Sequence, residues 1–436
     1  MTAVLRPTPE QLIWQHDGLG VFFHFGINTF HGKEWSDGTL PASSFNPTEL
    51  DAEQWVRTAQ AAGARYVILT AKHHDGFCLW PTAMTDYSVA SSPWKDGQGD
   101  VVAEVAAACR KLGMKLGLYL SPWDRNADCY PDAAAYDEFY LGQLRELCSN
   151  YGPLSELWFD GAGSEGREYD WARIAAVIDE LQPGAMVFNM GRPTIRWVGN
   201  EDGLASDPVE YVVDRTDFSN YTVVTTKLEE GLYLPPECDV SIRRGWFWHP
   251  EEEPKELDHL LAIYYRSIGL GANLLLNLPP DTRGLIPEED VRRITEWGAE
   301  IERRFGAPIP ARVTAVADAG AAAGAPDGME LSRWRIDFDG PQRVDHLRLA
   351  EDLQEGQRIQ RHRILDAEGR MIAQGQTIGS QRIHAFPAVV VDRLVLEAEG
   401  PSPRLASVDG FLTGVETAPD IGYLAPTTYP EGYVDA

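Results

Sequence analysis

Ser155-Glu-Leu-Trp-Phe-Asp-Gly-Ala-Gly163 is a short apolar run that ends on a carboxylate and passes at once into glycine. Leu154 to Phe159 has the length and aromatic content of a buried strand, punctuated by Gly161 and Gly163. In a barrel of parallel strands the C-terminal strand ends face the active site, which would set Asp160 up for chemistry. The same Asp-Gly pair also suits a tight turn or the cap of a following helix.

On both sides of this stretch, up to about residue 305, short apolar runs alternate with amphipathic segments, the pattern of βα units. Gly20 to Phe25, Tyr66 to Ala71, Lys115 to Leu120, Ala185 to Met190 and Asn273 to Leu278 read as further strands. Asp51 to Ala62, Val101 to Leu112, Tyr136 to Cys148, Trp171 to Leu181, Leu257 to Ile268 and Glu288 to Arg304 read as helices with one apolar face. Six or seven strands are thus interleaved with helices. A doubly wound sheet would alternate in the same way, but no Gly-x-Gly-x-x-Gly turn follows the first strand. The favoured architecture is α/β, a (β/α)8-like, TIM-type barrel over residues 1–306. Thr194 to Trp248 interrupts the pattern and reads as a long, irregular connection rich in charge and aromatic rings.

Past the Ala307-Pro-Ile-Pro310 break the texture changes. Arg333 to Phe338, Val344 to Leu349, Gln360 to Asp366, Met371 to Thr377, Gln381 to Ala385 and Val389 to Glu397 read as strands, several alternating polar with apolar residues. Together they predict a C-terminal antiparallel β-sandwich over residues 307–436, with Ala319 to Gly328 as a small-residue loop.

Composition narrows the function. The 436 residues are 44% hydrophobic and 24% charged, globular values for a chain long enough to build a barrel and a second unit. A net charge of -28, with no basic cluster to reverse it locally, repels phosphate backbones and argues against a nucleic-acid partner. No apolar run has the roughly 18 residues that membrane insertion needs. Met1 to Gln15 lacks the apolar core of a secretory signal, so the chain as given is expected to be cytoplasmic, or secreted or periplasmic if a leader has been removed. The five cysteines are scattered without a Cys-x-x-Cys pair, which supports neither a disulfide framework nor a structural zinc site.

If the barrel is right, the residues after each strand converge. They are His24 with Glu34-Trp35, then His73-His74-Asp75, Tyr119 with Ser121 and Trp123, Asp160, Arg196 and Glu201, and Glu237, Asp239, Arg243 and Trp246. Aromatic faces, hydroxyl-binding His, Tyr and Glu, and at least two carboxylates form an inventory suited to cleaving a sugar. Each member also has a plainer reading: His24 as a core histidine, and Trp35, Trp123 and Trp246 as ordinary core. His73-His74-Asp75 has metal-ligating residue types, but adjacent residues on a strand point to opposite faces, so no metal site is expected.

Gly20 to Gly26, the long segment Tyr66 to Val89 with Lys72-His-His-Asp-Gly-Phe77, and Glu156 to Gly161 resemble the α-L-fucosidases of glycoside hydrolase family 29. The resemblance runs from residue 10 to about 305, and the β-rich tail is similar to the C-terminal sandwich of that family. Trp197-Val-Gly-Asn-Glu201 and Glu237-Cys-Asp-Val-Ser-Ile-Arg243-Arg-Gly-Trp246 resemble the branch that removes α-1,3/1,4-linked fucose from Lewis-type glycans. Phe25 stands where many members carry Trp, a change that should leave His24 in place.

The resemblance implies a retaining, exo-acting enzyme on fucosylated oligosaccharides or glycoconjugates, with Asp160 as nucleophile and no metal or organic cofactor. Glu201 is the preferred acid/base, on a loop made by Gly199-Asn200 and Gly203, and Glu237 is the reserve. His24, Glu34, His73, His74 and Tyr119 would hold the hydroxyls, Trp35 and Trp246 would pack on the ring, and Arg196 and Arg243 would complete the binding set. Two alternatives stand beside it: a non-catalytic carbohydrate-binding protein on the same fold, and a metal-dependent barrel hydrolase.

Overall fold

Parallel strands covered on both faces account for the continuous apolar runs, since neither face needs polar residues. The structure, a computed structural model, describes residues 5–164, 166–217, 225–316 and 329–421, so the small-residue stretch Ala319 to Gly328 lies outside the described residues. The strands are β1 (Leu19–Phe23), β2 (Tyr66–Lys72), β3 (Lys115–Leu120), β4 (Glu156–Trp158), β5 (Met186–Phe188), β6 (Arg196–Trp197), β7 (Val212–Asp217), β8 (Thr225–Tyr233), β9 (Pro236–Ser241) and β10 (Asn273–Asn277). Eight of them form one parallel sheet in the order β5-β4-β3-β2-β1-β10-β9-β6. A single parallel bridge between Phe188 and Ile195 links its two ends, giving a nearly closed eight-stranded barrel.

The helices are α1 (Pro9–Asp17), α2 (Ala52–Ala61), α3 (Val101–Leu112), α4 (Ala133–Asn150), α5 (Trp171–Leu181), α6 (Leu257–Arg266) and α7 (Glu288–Phe305). Four of them start on an aspartate, Asp51, Asp100, Asp132 or Asp170, whose carboxylate accepts from first-turn N–H groups. α1 has a different task. A Thr8–Gln11 capping box fixes its start, and Trp14 lies under the barrel, its Nε1 donating to Glu156 Oε2 at 3.0 Å. The N-terminal end of the barrel is thereby closed.

The stretch from Thr194 to Trp248 differs from its sequence reading. It holds two barrel strands, β6 and β9, and an antiparallel ribbon of β7 with β8. β6 is too short to show a period. On β9, Pro-Glu-Cys-Asp-Val-Ser, the inward-facing positions are polar, which masks a fully buried strand.

The tail forms β11 (Ala311–Ala315), β12 (Glu330–Glu351), β13 (Arg361–Asp366), β14 (Met371–Gly375), β15 (Arg382–Gly400) and β16 (Leu405–Phe411), all antiparallel. β12 and β15 each run through two of the segments expected as separate strands. The β12–β15 register shifts between Asp337 and Gln342 and again between Val344 and His346, and such bulges let a long strand bend. The sheet curves over its own core of Ile336, Val344, Leu347, Ile364, Leu394 and Leu396. It docks on the barrel through apolar contacts, with Phe411 edge-on to Phe305 at 5.3 Å, and through polar ones: His346 Nε2 meets Tyr265 Oη at 2.8 Å, and Arg382 grips Asp207 with two bonds of 2.9 and 2.7 Å.

One buried ion pair ties β2 to the loop after β3. Lys72 Nζ lies 2.9 Å from Asp124 Oδ2, and both side chains are fully covered. Removing one partner strands the other charge in the interior. Asp124→Ala should lower the unfolding free energy by about 3–5 kcal/mol, and the paired replacement Lys72→Met with Asp124→Leu should recover most of it, as read by denaturant melts.

Candidate active site

The strand ends do converge. His24 follows β1, His73 and His74 follow β2, Tyr119 and Ser121 stand at the end of β3, Asp160 lies just past β4, and Asn277 ends β10. Asp160 Oδ2 accepts from Tyr119 Oη at 3.1 Å and lies 3.5 Å from His74 Nε2, while Oδ1 accepts from the Ala162 N–H at 2.9 Å. Burial pushes this carboxyl up, but the charge of His74 and the hydrogen bonds outweigh it and hold the group below the usual carboxylate range. The side chain keeps 24% of its surface, so a charged carboxylate faces the mouth of the barrel. Gly163 completes the turn: its φ is +69°, and a Cβ there would stand 2.1 Å from the Trp123 ring.

Two hydrogen-bond chains fix the histidines. Asn277 Nδ2 donates to the Trp246 carbonyl at 2.8 Å and to Ser241 Oγ at 2.9 Å, so its Oδ1 is the atom facing His24 Nδ1 at 2.9 Å. The Nδ1 proton of His24 is thereby assigned, and Nε2 carries the free lone pair. Burial drives this histidine down to about 3, against the opposing effects of Asn277 and Asp160, so it is neutral at pH 7. Ser121 Oγ donates to the Trp123 carbonyl at 2.7 Å and accepts from His74 Nδ1, also at 2.7 Å, which leaves His74 Nε2 facing Asp160.

His73 and His74 do not point to opposite faces. Their ring centroids are 4.2 Å apart, because β2 ends at Lys72 and the pleat no longer governs the next two residues. His73 Nδ1 lies 4.0 Å from Asp75 Oδ2 and makes no hydrogen bond among the described residues, and burial holds this histidine well below its ordinary value. One ligand atom from each of His73, His74 and Asp160 lies within 4.8 Å of the others, so the argument against metal-binding geometry does not survive.

Aromatic rings build the floor and walls. Phe188, Trp158, Tyr119 and His73 stack in succession at 3.9, 5.4 and 5.6 Å between centroids. Trp246 lies 5.0 Å from His24, and Trp35 stands edge-on to His74 and Trp123 at 5.5 and 5.8 Å. Glu34 works through backbone: its two oxygens accept from the N–H groups of Trp246 at 2.7 Å and Phe247 at 2.9 Å. It orders the loop that carries Trp246.

Three residues from the sequence-derived set are placed elsewhere. Glu237 is fully buried inside the barrel, accepting from Tyr66 Oη at 2.6 Å and Trp158 Nε1 at 3.1 Å, next to Glu156. It pairs in register with Asn273, the first residue of β10, at the closed end of the barrel. The Arg243 guanidinium is bonded at all three nitrogens, to Asp290 at 2.8 Å, Glu289 at 2.7 Å and the Glu252 carbonyl, and so staples the loop after β9 to α7. Arg196 donates to the carbonyls of Trp197 at 3.3 Å and Glu210 at 3.0 Å. Glu201 is half-buried on the loop after β6, whose turn Asn200 shapes by accepting from Asp202 and Leu204 N–H and donating to the Leu204 carbonyl. Asp239, held by Trp197 Nε1 at 2.6 Å, is raised well above its ordinary value by burial first and by the charge of Glu201 second. Asn277 was missed from the sequence. A polar residue closing an otherwise apolar strand was the available signal.

A family model described as Alpha-L-fucosidase matches residues 35–303. A provisionally named alpha-L-fucosidase 1 of Oryza sativa subsp. japonica is 41% identical over 424 residues, covering 90% of this chain and 82% of that protein. A solved glycoside hydrolase 29 family member from an unknown rumen bacterium superposes with a TM-score of 0.82 at 34% identity, over 97% of this chain and 79% of that one. A GH29 fucosidase of Ruminococcus gnavus, solved in complex with fucose, does so with a TM-score of 0.82 at 28% identity, over 94% of this chain and 95% of that one.

The place of Glu237 has a pH signature. Burial raises its carboxyl from 4.5 to about 7, and Glu156 beside it is raised in the same direction for the same reason. Below pH 4.5 both folded and unfolded states hold the proton. Between there and about 7 only the folded state does, so stability falls as pH rises through that window. Glu237→Gln should remove most of that slope, on the order of 2 kcal/mol, in urea melts at about pH 5 and about pH 8.

Proposed function

The chain belongs to the alpha-L-fucosidase family, and from that premise we propose that Asp160 is the nucleophile of a retaining mechanism that passes through a covalent fucosyl-enzyme. The protein is an enzyme, a glycoside hydrolase whose substrates are fucosylated glycans. A non-catalytic carbohydrate-binding role is not favoured.

The observation that carries the nucleophile is the Asp160 carboxylate itself, ionised, oriented by three partners, and open on one side at the mouth of the barrel. A nucleophile must be charged before the sugar arrives, and the environment of Asp160 favours the charge. Attack on the anomeric carbon from beneath would expel the aglycone and leave fucose esterified to Oδ1 or Oδ2. Neutral His24 offers a lone pair from Nε2 to a hydroxyl, and the rings of Trp246 and Trp35 supply apolar faces for the ring carbons and the C5 methyl.

Glu201 is the proposed acid/base, protonating the departing oxygen and then deprotonating water. In retaining enzymes the two carboxyl groups stand about 5–5.5 Å apart. Its loop, turned by Asn200, places it half-buried beside Asp239. The loops after β6 and β9 are proposed to flank the aglycone, and the proposed specificity is for terminal α-1,3/1,4-linked fucose on Lewis-type branched glycans.

Asp160→Gly should lower turnover of an aryl fucoside roughly a thousandfold or more, and added azide should restore part of it as β-configured fucosyl azide. A variant that keeps full activity removes Asp160 from the role. Wild type and Glu201→Ala should next be compared on an aryl fucoside with a good leaving group and on α-1,2, α-1,3/1,4 and α-1,6 glycans. The variant is expected to lose about 10²–10⁴ on the glycans and far less on the aryl fucoside, since an activated leaving group needs little protonation. If Asp239→Asn shows that selective loss instead, Asp239 is the acid; a wild-type preference for α-1,2 or α-1,6 linkages refutes the linkage assignment.

A further inference from the structure

We propose that His73, His74 and Asp160 form a binding site for a borderline divalent transition cation, Zn2+ or Co2+, which occupies the pocket in place of the sugar. The three donor atoms lie within 4.8 Å of one another, and His74 Nε2 stands 3.5 Å from Asp160 Oδ2. In a tetrahedral site with bonds of about 2.0–2.2 Å, neighbouring donors are about 3.3–3.6 Å apart, so that edge is already at its working length. Even if all three edges were 4.8 Å, a cation at the centre would sit about 2.8 Å from each donor. Closing the shell asks each side chain to move by less than about 1 Å.

Hydrogen bonding prepares the donors. Ser121 Oγ donates its proton to the Trp123 carbonyl, so it can only accept from His74 Nδ1–H. His74 then faces Asp160 Oδ2 through Nε2, and a cation that displaces the Nε2 proton bridges the two atoms. His73 is buried with an Nδ1 that has no hydrogen-bond partner among the described residues. Two imidazoles and one carboxylate are the donor set of open zinc sites, whose fourth position is left to water. Mg2+ and Ca2+, which take oxygen shells, are poor fits.

Such a cation is an inhibitor, because it coordinates the oxygen that would attack the sugar. That consequence rests on Asp160 being the nucleophile; the binding does not. The test uses the full, tag-free chain titrated with Co2+ and read by its d–d absorption, with Zn2+ followed by calorimetry. One equivalent should bind with a tetrahedral spectrum. Asp160→Asn and His73→Gln should each raise Kd by tenfold or more, and Ser121→Ala, which removes the support of His74 but no ligand, by about 10–100-fold. Circular dichroism of each variant confirms folding, and Ser121→Ala keeps the test open if His73→Gln does not fold. No Co2+ spectrum in the wild type, or equal affinity in the folded variants, overturns the site and assigns any binding to surface histidines. Fucose should displace the bound Co2+. If the spectrum responds to the variants but not to fucose, the cation site stands and the sugar placement fails.

Discussion

A carboxylate has to stay ionised while most of its surface is covered by protein. Around Asp160 this is achieved by three donors from three different segments: a phenol on β3, an imidazole after β2, and a backbone N–H in its own turn. Removing water from a charge costs far more than any one hydrogen bond returns, so the charge persists only because all three arrive together. That requirement explains much of the local sequence. Ser121 is present to hold His74, Gly163 to let the turn pass under Trp123, and Tyr119 to stand both as a donor and as part of the ring stack.

The barrel interior is divided by height. At its closed end Glu156 and Glu237, with Tyr66, Trp14 and Trp158, form a carboxyl network in which burial favours the protonated form. At its open end Asp160 is held ionised. Between them lie Phe22, Trp158 and Tyr119, packed edge-on or stacked at 5.3 to 5.9 Å. Carboxyl groups on one set of strands thus take opposite protonation states, because at the open end the donors outweigh burial, whereas at the closed end burial outweighs the Tyr66, Trp158 and Trp14 donors.

Much of the fold was legible because strand and helix periods are local. The bounds of α3, β3 and α5 match their sequence readings, and the aspartates that begin α2 to α5 are local signals as well. β6 and β9 were not legible: two residues show no period, and an inward face of Glu, Asp and Ser imitates a loop. The same limit governed the site. That Glu237, Asp239 and Ser241 share a face follows from alternation along β9. Which of them reaches the pocket depends on register: Glu237 pairs with Asn273 low in the barrel, and Ser241 with Asn277 at its mouth.

The sequence by itself determined the alternation of strands and helices, the change to antiparallel β-structure in the tail, and the strand ends where His24, His73, His74, Tyr119 and Asp160 stand. These are properties of neighbouring residues, and a run of eight or ten of them contains the information. Tertiary structure alone decided that His73 and His74 face the same space, that Arg243 is committed to α7, that Glu34 orders the Trp246 loop, and that Asn277 sets the tautomer of His24. Each of these depends on a partner tens to hundreds of residues away, or on where a strand stops. Burial and hydrogen-bond pairing are settled by the packed chain as a whole.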